Sequence, residues 1–392
     1  MSSIPSRYKA FLQNCHEKNL RRTLVQSEPL PDGRIKVGQS TYLNLSSNDY
    51  LGLNHHPDLI EASKIQADRY GAGMGASRLV TGNLSLFGEI EQKIAALKGT
   101  EAALIFASGF QANGTILQAL FDKKVLNSAP FILADKLNHA SMHFGCMASG
   151  VHQHRYRHLE IEHAQTLLKE AAPEHPKFCL TETVFSMDGD IAPMADLSTL
   201  CQATDTLLIA DDAHGFGVLG EKGKGLGEGA DIIIGTFSKA LGSFGAYVAA
   251  SQIIIDYLIQ KCSGLIYSTA LPPTTLGAID AALNLLPSLD KERETVANNA
   301  KLFRSAMQTL GLNTGASTTQ IVPLIVGDEG AALLLSETLR QNGIWVTAIR
   351  PPTVPKGTAR LRFAFSANHS KDDIEHVIKI ITTHVKKHPK TS

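Results

Sequence analysis

The sequence predicts an α/β protein: a mostly parallel central sheet with helices on both faces, followed by a smaller α+β C-terminal domain. Three observations lead there. From about residue 85, short apolar runs alternate with stretches of helical period, which is the rhythm of βαβ units. Polar and titratable residues sit just past the ends of those runs: Ser108-Gly-Phe110, Glu182, Asp211 to His214, and Thr236 to Lys239. Parallel sheets bind ligands at that edge. After a long helical stretch over 251–304, broken at Pro272-Pro273 and Pro287, strands and helices resume in a shorter set.

Element by element, the first forty residues read as a helix and an arm. Phe11, Leu20 and Leu24 fall on one side, and Pro29, Pro31 and Gly33 end the pattern. Helix 84–98 leads to strand 102–106, helix 110–121 and strand 131–134. Helix 139–149 follows, then strand 152–156, helix 161–171 and strand 178–181. Helix 195–204 precedes strands 207–210 and 231–234. The last unit has strand 321–326, helix 331–341, strands 345–348 and 360–365, and helix 372–383. The expected division is 1–50 for the helix and arm, 51–285 for a large α/β domain and 286–392 for the C-terminal domain. No internal repeat or low-complexity segment interrupts it.

The 392 residues are 43% hydrophobic and 19% charged, with a formal net charge of zero. That balance fits a soluble globular enzyme and favours neither nucleic acid nor an anionic membrane surface. Five cysteines lack disulfide or metal spacing, which suits a reducing compartment. The start lacks a signal-peptide core and no run is long enough to span a membrane. The expectation is a cytoplasmic protein.

The chemistry concentrates at Lys239. The apolar run Asp231-Ile-Ile-Ile-Gly-Thr-Phe-Ser-Lys239 delivers an amine, and Leu207-Leu-Ile-Ala delivers Asp211-Asp-Ala-His214. An amine, a carboxylate and an imidazole at strand ends are what pyridoxal phosphate (PLP) requires: the lysine forms the Schiff base, the carboxylate keeps the pyridinium nitrogen protonated, and the flanking hydroxyls take the phosphate. A lone lysine there would read as a surface residue; Asp211 and His214 change the reading. Ser108-Gly-Phe-Gln-Ala-Asn113 opens a helix and offers backbone N–H groups to a phosphate. Other patterns fail. Gly71-Ala-Gly-Met-Gly-Ala-Ser77 follows no strand and lacks the last glycine of a dinucleotide fingerprint. Gly223-Lys224 lacks the leading glycine of a phosphate loop. His152, His154 and His158 have no further ligand at metal spacing. Arg360 and Arg362 share a strand face, where a substrate carboxylate is a natural partner.

Together, Ser46-Ser-Asn-Asp-Tyr-Leu-Gly-Leu53, Ser108 to Asn113, Asn138-His-Ala-Ser141, Thr181-Glu-Thr-Val-Phe-Ser-Met-Asp-Gly189, Asp211-Asp-Ala-His-Gly215, Thr236-Phe-Ser-Lys239 and Tyr267-Ser-Thr269 resemble the α-oxoamine synthases, PLP-dependent transferases of fold type I. The resemblance covers nearly the whole chain. The run from Trp345 through Thr353-Val-Pro355 to Arg362 is most similar to the biotin-pathway branch; Phe87, where the family often has histidine, departs from it. The resemblance implies a decarboxylative condensation of L-alanine with a pimeloyl thioester, carried by coenzyme A or an acyl carrier protein. Sister enzymes take glycine and other acyl groups. It implies that Lys239 carries PLP and acts as base, that Asp211 pairs with the ring nitrogen, and that His139 stacks on the ring. His214 would bond the ring oxygen. Gly109, Phe110, Ser186 and Thr236 would serve the phosphate and nearby ring contacts, and Glu182 and Asn48 would shape the pocket. Arg362 would take the alanine carboxylate, Arg21 and Thr353 would lie near the acyl substrate, and Ser268 and Thr269 would complete the partner's phosphate site in a homodimer.

Overall fold

The computed structural model describes residues 4–18 and 20–387. The chain divides into two compact units. One comprises Asn48–Ser186 and Asp190–Glu294; the other comprises the chain up to Ser47, Met187–Gly189 and the chain from Thr295 onward.

The larger unit is built on a seven-stranded sheet: β1 (Ala102–Phe106), β2 (Phe131–Asp135), β3 (Gln153–Tyr156), β4 (Lys177–Glu182), β5 (Thr206–Asp211), β6 (Ile232–Thr236) and β7 (Ala246–Ala250). The spatial order is β1-β7-β6-β5-β4-β2-β3. Strand β7 runs antiparallel to both its neighbours and every other pair is parallel. Both faces are covered, so the central strands are mainly apolar runs rather than alternating ones, while the edge strand β3 is polar and partly buried. On one face, helix Gly109–Leu120 buries Ala112, Ile116 and Leu117 against Ile132, Leu180, Ile209 and Ile234. On the other, Leu133, Cys179 and Leu208 pack with Leu197 and Leu200. Each fully buried leucine or isoleucine contributes about 1.5–3 kcal/mol. Gly235 in β6 has a close reason: a Cβ there would collide with the Tyr247 ring from β7.

The smaller unit holds two sheets. Glu28–Pro29, Arg34–Val37, Ser40–Asn44 and Ile344–Trp345 form one; Ile321–Gly327, Ala359–Ala364 and Ala348–Ile349 form the other. Helices Glu329–Gln341 and Lys371–Lys387 cover them, with Phe303, Leu335, Leu339, Phe363 and Ile374 in the core.

Most expected elements lie within a few residues of their positions, with three differences. The first helix, Ile4–Glu17, stops before Leu20 and buries none of its residues, so Phe11, Leu20 and Leu24 form no common face. The expected strand 345–348 is two short strands in different sheets. At Thr347 the backbone N–H donates to Ser46 Oγ (2.9 Å), which takes it out of a ladder. Strand β7, the helix Pro57–Tyr70 and the N-terminal strands are further elements beyond those expected; β7 is itself a fully buried apolar run. The basic tail beyond Lys387 lies outside the described residues.

Candidate active site

The edge of the larger sheet formed by the C-terminal ends of its parallel strands collects the chemistry. Strand β5 ends in Asp211 and β4 ends in Glu182, and the two residues are register partners. Strand β6 ends in Thr236, three residues before Lys239, and β2 leads to His139 at the start of helix Ala140–Ser149. Helix Gly109–Leu120 begins at the same edge: a Cβ on Gly109 would stand 3.9 Å from Cβ of Thr236. Ser108 caps that helix by accepting from the Gln111 N–H.

Asp211 is held from two directions. Its Oδ1 accepts from the Ala213 N–H (3.0 Å), and its Oδ2 accepts from Asn113 Nδ2 (2.7 Å). The same Asn113 nitrogen donates to Ser141 Oγ (2.9 Å), and Ser141 Oγ lies 2.7 Å from His139 Nδ1. On another side, His214 Nδ1 is 2.7 Å from the Tyr50 hydroxyl, which donates to Asn48 Oδ1 (3.0 Å). Asp212, beside Asp211, is a buried brace. It accepts from Thr183 Oγ1 and the Leu226 N–H, and pairs with the buried Lys98 at 2.7 Å.

Burial dominates the electrostatics. It pushes the Glu182 carboxyl well above the carboxylate range and the Asp211 charge adds to this, while Lys239 and the His139 backbone N–H pull it back. Burial also lowers the His139 imidazole; Asp211 opposes that, and Lys239 and His143 reinforce it. Asp49 is pushed up to about 6 by burial, against donation from the Asn54 and Leu53 N–H groups.

Several of the expected residues have partners within the chain. The Thr236 hydroxyl donates to the Gly245 carbonyl (2.8 Å) and closes the turn toward Ser238, whose Oγ is 2.6 Å away. Ser268 accepts from Gln111 Nε2 (2.9 Å) of its own chain, and Thr269 forms an isolated bridge with Ser77. Phe110 is half exposed and its ring meets Phe144. Ser186 is partly buried. Arg360 has an internal carboxylate: it pairs with Asp188 at 2.6 Å and donates to the Met187 carbonyl, so it is not the substrate-carboxylate arginine. Arg362 is buried two residues along the same strand.

Within the smaller unit, Arg21, Arg22, Arg350 and Thr353 line one cavity of about 840 Å³. Its lining also includes Arg340 and His16 and, among the described residues, no acidic side chain. Arg22 Nη2 reaches Thr353 Oγ1 at 3.4 Å, and burial followed by the Arg22 charge lowers the Arg350 guanidinium.

The profile of aminotransferase class I and II matches residues 40–381. The chain belongs to the class I and II aminotransferase family. A relative from Gluconacetobacter diazotrophicus, named 8-amino-7-oxononanoate synthase, is 45% identical and the alignment covers 97% of both chains. Among solved structures, the chain resembles 8-amino-7-oxononanoate synthase from Francisella tularensis at 30% identity and TM-score 0.77, covering 88% of this chain and 98% of that one. It resembles a serine palmitoyltransferase from S. paucimobilis with bound PLP–myriocin aldimine at 25% identity and TM-score 0.90, covering 97% of each.

In this aminotransferase-family chain the sequence reading missed Tyr50, Asn113, Ser141 and Ser238 as site residues. All four stand at the ends or middle of motifs quoted for other residues. Helical spacing offered one signal. Asn113 lies four positions after Gly109, on the same helix face, and a buried asparagine there needs a polar partner.

Proposed function

We propose that the protein condenses L-alanine with a pimeloyl thioester, with loss of carbon dioxide and free thiol, to give 8-amino-7-oxononanoate for biotin synthesis. The observation that carries the reading is Lys239 at the sheet edge that also bears Asp211, His139 and His214. The near-full-length relatives named for this reaction support it. The residues fit pyridoxal phosphate on two counts. The helix start at Gly109 has no Cβ beside Thr236, leaving room for a phosphate at the positive end of the helix. Glu182 Oε1 is buried with no hydrogen-bond partner, a polar atom left for a bound group.

When bound, pyridoxal phosphate supplies the electron sink that acidifies the amino-acid Cα–H and lets the carboxylate leave. Lys239 Nζ would hold the cofactor aldehyde and would be the base for the Cα proton. Asp211, fixed by Asn113 and the Ala213 N–H, holds a proton on the ring nitrogen. His139 would lie against the cofactor ring, and His214, oriented by Tyr50, would bond its ring oxygen. The Gly109 and Phe110 N–H groups donate to the phosphate, with Ser186 and Thr236 beside them. Asn48 and the buried Glu182 would shape the pocket. Arg362 takes the alanine carboxylate. Arg21 takes the far carboxylate of the pimeloyl chain in a cavity lined by cations and by Thr353.

The acyl carrier is coenzyme A or an acyl carrier protein. The reading includes a cytoplasmic homodimer, with Ser268 and Thr269 completing the partner's phosphate site. Tyr267, 86% exposed beside Ser268, and the exposed Phe110 and Phe244 supply apolar surface for such an interface. No helix among the described residues is long and apolar enough to cross a membrane. The test is product analysis with alanine or glycine against several acyl thioesters, together with the visible absorbance of purified protein. Lys239→Ala is expected to lose both the product and the visible band of the lysine-bound cofactor. A band unchanged in the variant, or turnover of glycine in preference to alanine, refutes the reading.

A further inference from the structure

We infer that Asn113 and Ser141 fix His139 as the imidazole protonated on Nε2 alone, so that it presents a donor to the site and does not serve as a base. The inference deepens the proposed function, which places His139 against the cofactor, but its geometry belongs to the chain itself.

The argument follows the protons. Asn113 Nδ2 stands 2.7 Å from Asp211 Oδ2 and 2.9 Å from Ser141 Oγ. The opposite amide orientation would set an oxygen against a carboxylate oxygen, so the nitrogen must face Asp211. Each of its two hydrogens then has one acceptor: Asp211 and Ser141. Ser141 Oγ accepts, and its own hydrogen needs a further acceptor because the residue is 1% exposed. His139 Nδ1, at 2.7 Å, is that acceptor. The Ser141 backbone N–H also points at Nδ1, at 3.3 Å. Two donors converge on one ring nitrogen, which therefore carries a lone pair. The ring proton is left on Nε2.

The charged surroundings agree. Burial disfavours an imidazolium here, and Lys239 and His143 oppose it, against the pull of Asp211. A ring with Nδ1 occupied and Nε2 protonated has no free lone pair for a substrate proton. Base duty stays with Lys239, and His139 offers Nε2–H to an oxygen or a developing negative charge. Asn113 and Ser141 are positioning residues: they act through His139 and Asp211.

The experiment is long-range ¹⁵N–¹H correlation on histidine-labelled holoenzyme and apoprotein at neutral pH, with His139 assigned by its absence in His139→Gln. The expected wild-type result is a pyridine-type Nδ1 and a pyrrole-type Nε2 in both forms. Ser141→Ala is expected to admit the other tautomer and shift both nitrogens toward averaged values, while Ser141→Thr keeps the wild-type pattern. In turnover, Ser141→Ala should lower kcat roughly tenfold with little change in KM for alanine, the scale of one hydrogen bond. Ser141→Thr should restore most of it. A wild-type His139 protonated on Nδ1, or on both nitrogens, overturns the inference. So do shifts unchanged in Ser141→Ala, and the wild-type spectrum decides alone if that variant does not fold. Failure of the proposed function reads differently: product and visible band would be missing while the apoprotein still showed a pyridine-type Nδ1 and a pyrrole-type Nε2 at His139.

Discussion

His158 offers a perturbation whose size can be worked from the structure. Its Nδ1 is 2.9 Å from Asp135 Oδ1 and its Nε2 is 2.9 Å from Asp190 Oδ2, and its side chain is 16% exposed. Burial by itself would lower the imidazole pKa. The hydrogen bonds to Asp135 and Asp190, and then their charges, overturn that and raise it to about 9. The imidazolium ties the end of β2 to the segment that follows Glu182 and carries Ser186, since the Phe185 N–H donates to the Asp190 carbonyl. The ring also packs edge-on against Phe185. The rise from 6.5 to about 9 is worth about 3 kcal/mol, at about 1.4 kcal/mol per tenfold change in proton affinity. The sign follows from a folded value above the unfolded one. The contribution is complete below about pH 6.5 and is lost as pH rises through about 9. His158→Gln removes the charge. Asp135 keeps the Leu137 and Leu159 N–H groups, but Asp190 Oδ1 already lacks a partner and Oδ2 would lose its cation. The assay is denaturant unfolding of wild type and variant from pH 6 to pH 10, where other titrating groups cancel in the difference. The variant should be less stable by about 3 kcal/mol at pH 6, with the gap shrinking as pH rises past about 6.5 and nearly closed once it passes about 9. A difference that stays constant across that range would refute the reasoning.

Asp211→Asn should retain cofactor yet slow Cα–H exchange of alanine at least tenfold, because a charge-assisted hydrogen bond is worth about 1.5–3 kcal/mol; deuterium exchange followed by NMR checks it, and a wild-type rate would contradict it. Arg21→Ala should raise KM for the pimeloyl thioester roughly tenfold, and less for an acyl thioester without the far carboxylate, with alanine binding unchanged; equal losses for both donors would assign Arg21 to the carrier or the fold. Gly235→Ala should destabilise by about 1–3 kcal/mol, since its Cβ collides with Tyr247, and an unaltered melting temperature would show that β7 moves aside.

The layered α/β plan and the residues at the sheet edge are legible in the order of amino acids alone. Buried parallel strands such as Ile232–Thr236 are local apolar runs, and a parallel sheet places whatever follows its strands on one edge. Lys239, Asp211, His139 and the Gly109 helix start stand out for that reason. Which groups those residues touch is settled by folding. Asn113, Ser141 and Tyr50 are separated by long stretches of chain from Asp211 and His214, and a hydrogen bond between distant segments leaves no periodic trace. The same holds for Arg360, whose strand position invited a substrate carboxylate but whose partner is Asp188. Strand β7, Ala246–Ala250, is a local apolar run, but its antiparallel place between β1 and β6 depends on pairing with Phe106 and Thr236 across the sheet. Periodicity reports which face is buried; the pairing of buried polar groups depends on chain segments that meet only on folding.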